Sequence, residues 1–453
     1  MMNDVQIGPR GFFFPLSYHL PMPVPPGRSI VLSFADARRA VEQQAALIQA
    51  SHIPAGTTES VDLLAAAGRV LSECVTADRD LPPFPRSTRD GYAVRSADLS
   101  ALPATLDVIG EIKAGESLDR IPASIASGQA ASIMTGAPVP AGADAVVMVE
   151  YTAALDHRVE ITRSVAPGEN IVPRGAEARE GATLLDRGFR LNPAAIALAA
   201  SAGKSRLPVY KRPRVAVLTT GDEIVDVDTK PGPTQIRNSN SFSLAAQIQQ
   251  AGGEPVVLPI APDELQGLRR LIAEGLKSDL LLLTGGVSMG RYDLVEQALS
   301  EMQAEFFFTG AKIQPGRPVV FGRCLAEARG TGTAADESPA TYFFGLPGNP
   351  VSTMVTFELF ARPMLEALAG RAPHNLLFLH ARLKKEIRTR TGLQRFLPAI
   401  LSGEFDQAEV ELVPWQGSGD IAAIARANCY IVILPDREHL AAGEWVSVMK
   451  VDC

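Results

Sequence analysis

Cysteine is scarce in this chain. Only four occur in 453 residues, Cys74, Cys324, Cys429 and Cys453, far apart and with no Cys-x-x-Cys pair. That excludes a structural zinc site and a disulfide framework. The six histidines show no metal-ligand spacing, and each reads as a surface or satisfied core residue. No apolar run approaches the ~20 residues of a membrane span. Near the N-terminus Phe12-Phe13-Phe14 is cut off by Pro15, Pro21, Pro23, Pro25 and Pro26. With no basic segment leading into a long apolar one, residues 1–28 read as a flexible N-terminal extension rather than a signal peptide. Positive charge is also short: 43 basic against 50 acidic residues leave a net charge of −7. A general nucleic-acid surface is excluded, and any anionic ligand must meet a local basic patch. These absences predict a soluble, cytoplasmic protein with no membrane and no nucleic-acid partner.

A hydrophobic share of 46% is ample for packed cores, and the length suits roughly three domains of ~150 residues. The chain is organised around residues 280–293. Leu280 to Leu283 form an unbroken apolar run, the pattern of a strand buried on both faces. Gly285, Gly286 and Gly290 then punctuate a loop that a ligand can approach closely. Asp293 closes the stretch just as a helical pattern opens. In open α/β sheets such a loop is the default ligand crevice. Its backbone N–H groups suit a phosphate, and a carboxylate suits a metal on that phosphate. Taken alone, the pattern equally suits a plain strand–helix turn.

Elsewhere, Ser33 and Asp36 predict the start of a helix over 34–50, with Phe34, Ala37, Val41, Ala45 and Ile48 on one stripe. A second helix over 61–77 is expected to break at Gly68. From Pro82 to about residue 173, short β-like runs alternate with Gly/Pro/Asp turns, predicting a small β-rich domain. Asn192-Pro193 caps another helix. From 213 to about 370 strand and helix signals alternate, predicting a parallel, doubly wound sheet whose acidic and glycine-rich loops share one edge. The polar stretch 330–338 reads as an exposed loop. Residues 371–453 read as a small β-barrel or sandwich.

Eight motifs in this order carry a resemblance: Asp90-Gly91-Tyr92-Ala93-Val94, Thr135-Gly136-Ala137-Pro138, Gly142-Ala143-Asp144, Thr220-Gly221-Asp222-Glu223, Arg237-Asn238-Ser239-Asn240, Thr284-Gly285-Gly286-Val287-Ser288 with Asp293, Pro315-Gly316-Arg317-Pro318, and Leu346-Pro347-Gly348-Asn349-Pro350. Together they resemble the molybdopterin molybdenumtransferase family, which includes bacterial MoeA and the gephyrin E domain. The resemblance implies a multidomain α/β and β protein. A discontinuous N-terminal helical domain would take residues 29–80 and 174–208, around an inserted β-rich domain at 81–173. An α/β molybdopterin-binding domain would follow at 209–370, and a C-terminal β-barrel at 371–453. It also implies a homodimer with active sites shared between subunits, and transient contact with a molybdopterin adenylyltransferase. The implied reaction is magnesium-dependent: adenylylated molybdopterin is cleaved, AMP is released, and molybdenum from molybdate enters the dithiolene.

By matching motif, the resemblance assigns catalysis to Asp90, Thr135, Glu223 and Asp293, with Glu223 and Asp293 holding Mg2+. Substrate binding falls to Thr220, Gly221, Asp222, Gly285, Gly286, Ser288, Pro347, Gly348, Asn349 and Pro350. Molybdate binding falls to Lys312, Arg317, Pro318, Ser352, Arg395 and Ser418. Arginine offers an oxyanion a rigid donor fork. Two positions depart from the common pattern. Arg89 precedes the Asp-Gly-Tyr triplet where many relatives have Met. Gln314 stands where a Lys commonly precedes Pro-Gly, and Lys312, two residues earlier, would share its face on a strand. Two rival readings are adenylylation of molybdopterin and a scaffold. The first matches only the α/β segment, and the second has no need of Asp90, Glu223 and Asp293.

Overall fold

The structure, a computed structural model, describes residues 29–50, 57–286, 294–325, 340–372 and 374–451. It divides into two compact units. One is Ser60–Val209, and the other joins the described residues up to Glu59 to those from Tyr210 onward. Among the described residues no helix is long and apolar enough to cross a membrane.

The chain opens with α1 (Phe34–Ala50). Ser33 Oγ accepts from the Asp36 amide at 3.1 Å, which pairs one orphan N–H of the first turn, and donates to the Asp36 carboxylate at 2.7 Å. Ala37, Val41 and Ala45 of the predicted stripe are buried, with Phe34 and Ile48 packed at the edge. Their partner is unexpected. The sequence reading grouped residues 29–80 with 174–208, whereas α1 packs into the α/β core.

In the Ser60–Val209 unit the major sheet uses β1 (Gly91–Val94), β2 (Ala104–Ile112), β3 (Gln129–Ile133), β4 (Ala145–Met148), β5 (Thr152–Leu155) and β6 (Arg158–Ile161). Their order is β4-β1-β3-β2-β6-β5, with only β2 and β3 parallel. Neighbouring residues enter different cores: Ala93, Ala131 and Val146 one, Val94, Ala130 and Val147 the other. This is the period-two alternation of a strand. A third core joins segments from both sides of that sheet in the sequence. It includes Leu71, Val75, Leu185 and Leu207, with Ala195 and Ala199 of α2 (Pro193–Ser201). Asn192 caps α2 by accepting from the Ala195 amide at 2.8 Å. The expected helix over 61–77 is only one turn, Leu63–Ala66.

The other unit holds a six-stranded sheet. Its elements are β7 (Arg214–Thr219), α3 (Asn240–Gln250), β8 (Glu254–Val257), α4 (Leu265–Gly275), β9 (Leu280–Thr284), α5 (Leu294–Glu301), β10 (Glu305–Phe308), β11 (Val320–Cys324), β12 (Thr341–Leu346), α6 (Pro350–Thr356) and α7 (Arg362–Leu368). Strand order is β8-β7-β9-β12-β11-β10. Helices cover both faces: Leu280 and Leu282 enter the core that contains α3, α6 and α7, and Leu281 and Leu283 the core that contains α4 and α5. That explains a leucine run without alternation.

The expectation of a parallel sheet needs correction. The strands from β8 to β12 run parallel, but β11 pairs antiparallel with β12 and β10 antiparallel with β11. A parallel neighbour needs a crossover connection, usually helical, whereas an antiparallel one does not. The predicted 330–338 loop lies between β11 and β12, outside the described residues.

Between α6 and α7 the chain makes one π-helical turn, Phe357–Ala361. Pro363 has no N–H for the Leu359 carbonyl, and the buried Arg38 guanidinium of α1 supplies the donor at 2.6 Å.

The C-terminal strands are β13 (Phe378–Leu383), β14 (Gln394–Ser402), β15 (Glu409–Leu412), β16 (Cys429–Ile433) and β17 (Trp445–Lys450). They close as β14-β15-β13-β17-β16 and back to β14, a five-stranded barrel around Leu383, Ala399, Ile431 and Val448. The predicted barrel is therefore present, and the two-residue strand Ile313–Gln314 pairs parallel with its β14.

Glu366 of α7 yields a pH prediction. Burial raises its pKa, but the His374 hydrogen bond and the charges of Arg371 and Arg362 outweigh that and lower it to about 2, from 4.5. A carboxyl held lower in the folded state stabilises it above the unfolded value. The difference is worth ~3 kcal/mol, lost as pH falls from about 4.5 towards 2. Thermal melts across this window should show a steeper loss in the wild-type protein than in Glu366→Gln. Parallel curves would show that the carboxylate contributes nothing.

Candidate active site

Register places the ends of three strands level. Thr219 pairs with Thr284, and Thr284 with Leu346, so the loops after β7, β9 and β12 leave one edge of the sheet together. The Thr220 amide donates to the Thr284 carbonyl at 3.0 Å. A Cβ on Gly285, whose φ is +89°, would lie 2.3 Å from the Thr220 carbonyl oxygen, so only glycine fits there. Gly348 comes next: a Cβ on it would be 3.5 Å from the Gly285 Cα. The glycine turns of β9 and β12 are thus in contact.

Asn240, in the first turn of α3, ties these loops. Its Nδ2 donates to Thr284 Oγ1 at 2.9 Å and to the Gly348 carbonyl at 2.7 Å. Thr284 Oγ1 reaches the Pro347 carbonyl at 3.3 Å, and Thr353 Oγ1 donates to that same carbonyl. Two buried atoms here, Thr220 Oγ1 and Asn240 Oδ1, have no partner among the described residues. Unpaired buried polar atoms are uncommon and point to a ligand-facing surface.

Glu223 folds back over Gly221, and a Cβ on Gly221 would sit 2.6 Å from its Oε2. Glu223 is exposed and forms no ion pair with any described residue. Asp222 is occupied differently: its carboxylate accepts from the Asp263 amide at 3.1 Å, and its own amide donates to the Asp263 carboxylate at 3.4 Å. Ser288 and Asp293 lie outside the described residues. Among the described residues no group of three His, Cys, Asp or Glu side chains converges.

The predicted anion residues form a continuous chain of contacts beside this edge. Ile313 is buried while Lys312 and Gln314 are exposed, which puts those two on one face of the short strand. Gln314 pairs with Arg395, and the Gln394 amide bonds the Lys312 carbonyl at 3.0 Å. Gly316 packs on Thr356 and the Ser352 carbonyl of α6, followed by exposed Arg317 and half-buried Pro318. At the start of α6, the Val351 amide donates to the Ser418 carbonyl at 3.0 Å, and Asn349 Nδ2 to Ser418 Oγ at 2.9 Å. Arg395 is only 7% exposed, and its one hydrogen bond to a described residue is to the Leu393 carbonyl. Burial lowers its pKa, as expected for a cation withdrawn from water. Lys312, Arg317 and Arg395 have no carboxylate partner among the described residues. In a chain with excess acid, cations without a carboxylate partner are the kind of group suited to meet an oxyanion.

In the other unit, Asp90 and Thr135 are brought together. Asp90 Oδ1 accepts from the Thr135 amide at 2.7 Å and from Thr135 Oγ1 at 2.8 Å. These two bonds, the backbone one first, lower the Asp90 carboxyl below its ordinary range. Asp90 Oδ2 has no partner among the described residues. Gly91 is required because a Cβ would lie 1.8 Å from the Val147 carbonyl oxygen. The Gly142-Ala143-Asp144 motif is architectural: the Asp144 carboxylate accepts from the Ser96 amide and hydroxyl at 2.6 and 2.8 Å.

Asn240 and Thr284 were missing from the sequence-derived site. The signal was the Arg237-Asn238-Ser239-Asn240 motif, which counted towards the resemblance but was given no site role. Asn238 caps α3, accepting from the Ser241 amide at 3.1 Å, which leaves Asn240 to reach across the loops.

Comparison with known proteins agrees along the chain. Residues 32–203 match the profile described as MoeA N-terminal region (domain I and II), 216–367 the probable molybdopterin binding domain, and 380–451 the MoeA C-terminal region (domain IV). Curated proteins named molybdopterin molybdenumtransferase are 34% identical in Nostoc sp., covering 87% of this chain and 89% of the relative, and 32% identical in Bacillus subtilis, covering 87% and 90%. The crystal structure of a molybdopterin biosynthesis MoeA protein from Pyrococcus horikosii is 30% identical, with a TM-score of 0.65, covering 93% of this chain and 99% of that one. With all three regions matched in order and relatives covered nearly end to end, the chain belongs to the molybdopterin molybdenumtransferase family, transferases of molybdenum cofactor biosynthesis.

Proposed function

We propose that this protein inserts molybdenum from molybdate into adenylylated molybdopterin and releases AMP in a magnesium-dependent reaction. The observation that carries the reading is the contact between the glycine turns after β9 and β12 beside cations without carboxylate partners among the described residues. Glycine backbone at Gly285, Gly286 and Gly348 lets phosphates approach N–H groups closely. Asn349 and Pro350 hold the start of α6 beside Ser418 and orient that loop.

Glu223 fits a magnesium ligand: it is an exposed hard oxygen donor with no competing cation among the described residues. Glu223 and Asp293 would hold the ion, which when bound neutralises phosphate charge and polarises the phosphoanhydride. Cleavage adds water to phosphorus, breaks the bridging P–O bond and releases AMP. Lys312, Arg317 and Arg395 hold molybdate with the hydroxyls of Ser352 and Ser418. Thr135 fixes one oxygen of ionised Asp90, and the other is presented to substrate. Asp90 and Glu223 come from different structural units, which suits a homodimer whose active sites draw on both subunits.

The test is direct. Purified protein, adenylylated molybdopterin, Mg2+ and molybdate should yield AMP well above a protein-free control. An AMP yield equal to the control would overturn the reading.

A further inference from the structure

We propose that Asn240 is a positioning residue of this site: its Nδ2 clamps the Pro347-Gly348 turn against the end of β9 so that both glycine turns are set before substrate arrives. The inference rests on the reading above for what the turns bind, but not for the clamp itself.

Three observations carry it. First, one amide group bridges three elements, α3, β9 and the loop after β12, through bonds of 2.9 and 2.7 Å. Second, the Gly348 carbonyl can only accept, so the amide's orientation is settled: nitrogen towards the loop, oxygen away from it. Third, that oxygen is buried with no partner among the described residues, although Asn240 is only 7% exposed. An unpaired buried acceptor opposes stability, so this end of the amide adds nothing to folding. Thr220 Oγ1 repeats the pattern across the same turn. The arrangement therefore serves the loops rather than the core. Holding backbone in its bound arrangement lowers the ordering cost of binding, so the gain appears chiefly in substrate affinity.

The experiment compares full-length wild-type protein with Asn240→Ala and Asn240→Asp. Aspartate keeps the size and the acceptor but turns an oxygen towards the Gly348 carbonyl. Amide hydrogen exchange over residues 346–349 and 284–286 reads the clamp without reference to activity. Both variants should exchange there at least tenfold faster, with other segments unchanged. In AMP-release kinetics, both should raise KM for adenylylated molybdopterin roughly 10- to 100-fold, with kcat changed far less. A drop in melting temperature with faster exchange throughout and unchanged KM would reduce Asn240 to a structural residue and overturn the proposal. So would Asn240→Asp behaving as wild type, since the clamp depends on donation by nitrogen. If wild-type protein releases no AMP yet the variants loosen only those two segments, the clamp stands and the substrate assignment falls.

Discussion

Glu223→Ala is expected to slow AMP release by about 10²–10³-fold at any molybdate concentration, the effect of losing several kcal/mol of charge stabilisation by the ion. Asp90→Ala should be comparably impaired, since it removes the second carboxylate oxygen, which the Thr135 bonds to Oδ1 leave free for substrate. Substrate affinity should change little in either variant, because the glycine turns and Asn240 are untouched. Mixing the two inactive proteins under conditions that exchange subunits then tests the proposed homodimer. If each site takes Asp90 from one subunit and Glu223 from the other, every heterodimer contains one site with both carboxylates intact, and activity should return in proportion to heterodimer formed. Heterodimers that form and stay inactive would place both carboxylates in sites built by a single chain. Exposed Glu223 makes no ion pair with the described residues, so the substitution should leave the melting temperature near wild type.

What the sequence made legible follows from which forces act locally. Leu280 to Leu283 announced a strand buried on both faces, and the structure sends alternate leucines to two different cores. The three loops on one edge could be anticipated because parallel strands point their carboxyl ends the same way. Turn spacing made a small barrel or sandwich legible, and the choice of barrel came only from the resemblance, because pairing between distant strands closes it. Three features were not legible. At the edge β11 pairs antiparallel with β12 and β10 antiparallel with β11, and strand direction is set by connection and pairing rather than by residue preference. The apolar stripe of α1 shows that a partner exists without saying which, and it packs into a core formed largely beyond residue 210. Asn240 stood in a quoted motif without a site role, because a side chain that bridges distant loops has the same local pattern as one that caps its own helix. The alternation that put Lys312 and Gln314 on one face was legible, but their pairing with β14 needed the barrel.

That pairing determines the second large effect. Arg395→Ala should raise the molybdate concentration required for half-maximal turnover by roughly 30- to 150-fold, the ~2–3 kcal/mol expected when one partner of a charge-assisted contact to an anion is removed. Binding of adenylylated molybdopterin should stay within a few-fold of wild type, because Arg395 sits on the barrel strand and not on the glycine turns. Arg395 is 7% exposed, and no carboxylate among the described residues pairs with its guanidinium. Its burial therefore opposes folding unless an anion repays it, and the alanine protein should be no less stable than wild type in the absence of molybdate. Titrating molybdate against wild-type, Arg395→Ala and Glu223→Ala proteins separates the two roles: the first variant shifts the curve along the concentration axis, and the second lowers it. Wild-type molybdate dependence in Arg395→Ala would remove the barrel from the oxyanion site. Gln314→Lys is the companion, since Gln314 lies beside Arg395 across the ladder and shares a face with Lys312. An added ammonium there should tighten molybdate binding severalfold. If binding is unchanged, Lys312 already supplies the charge that Gln314 lacks, and Lys312→Ala should then weaken binding as much as Arg395→Ala does.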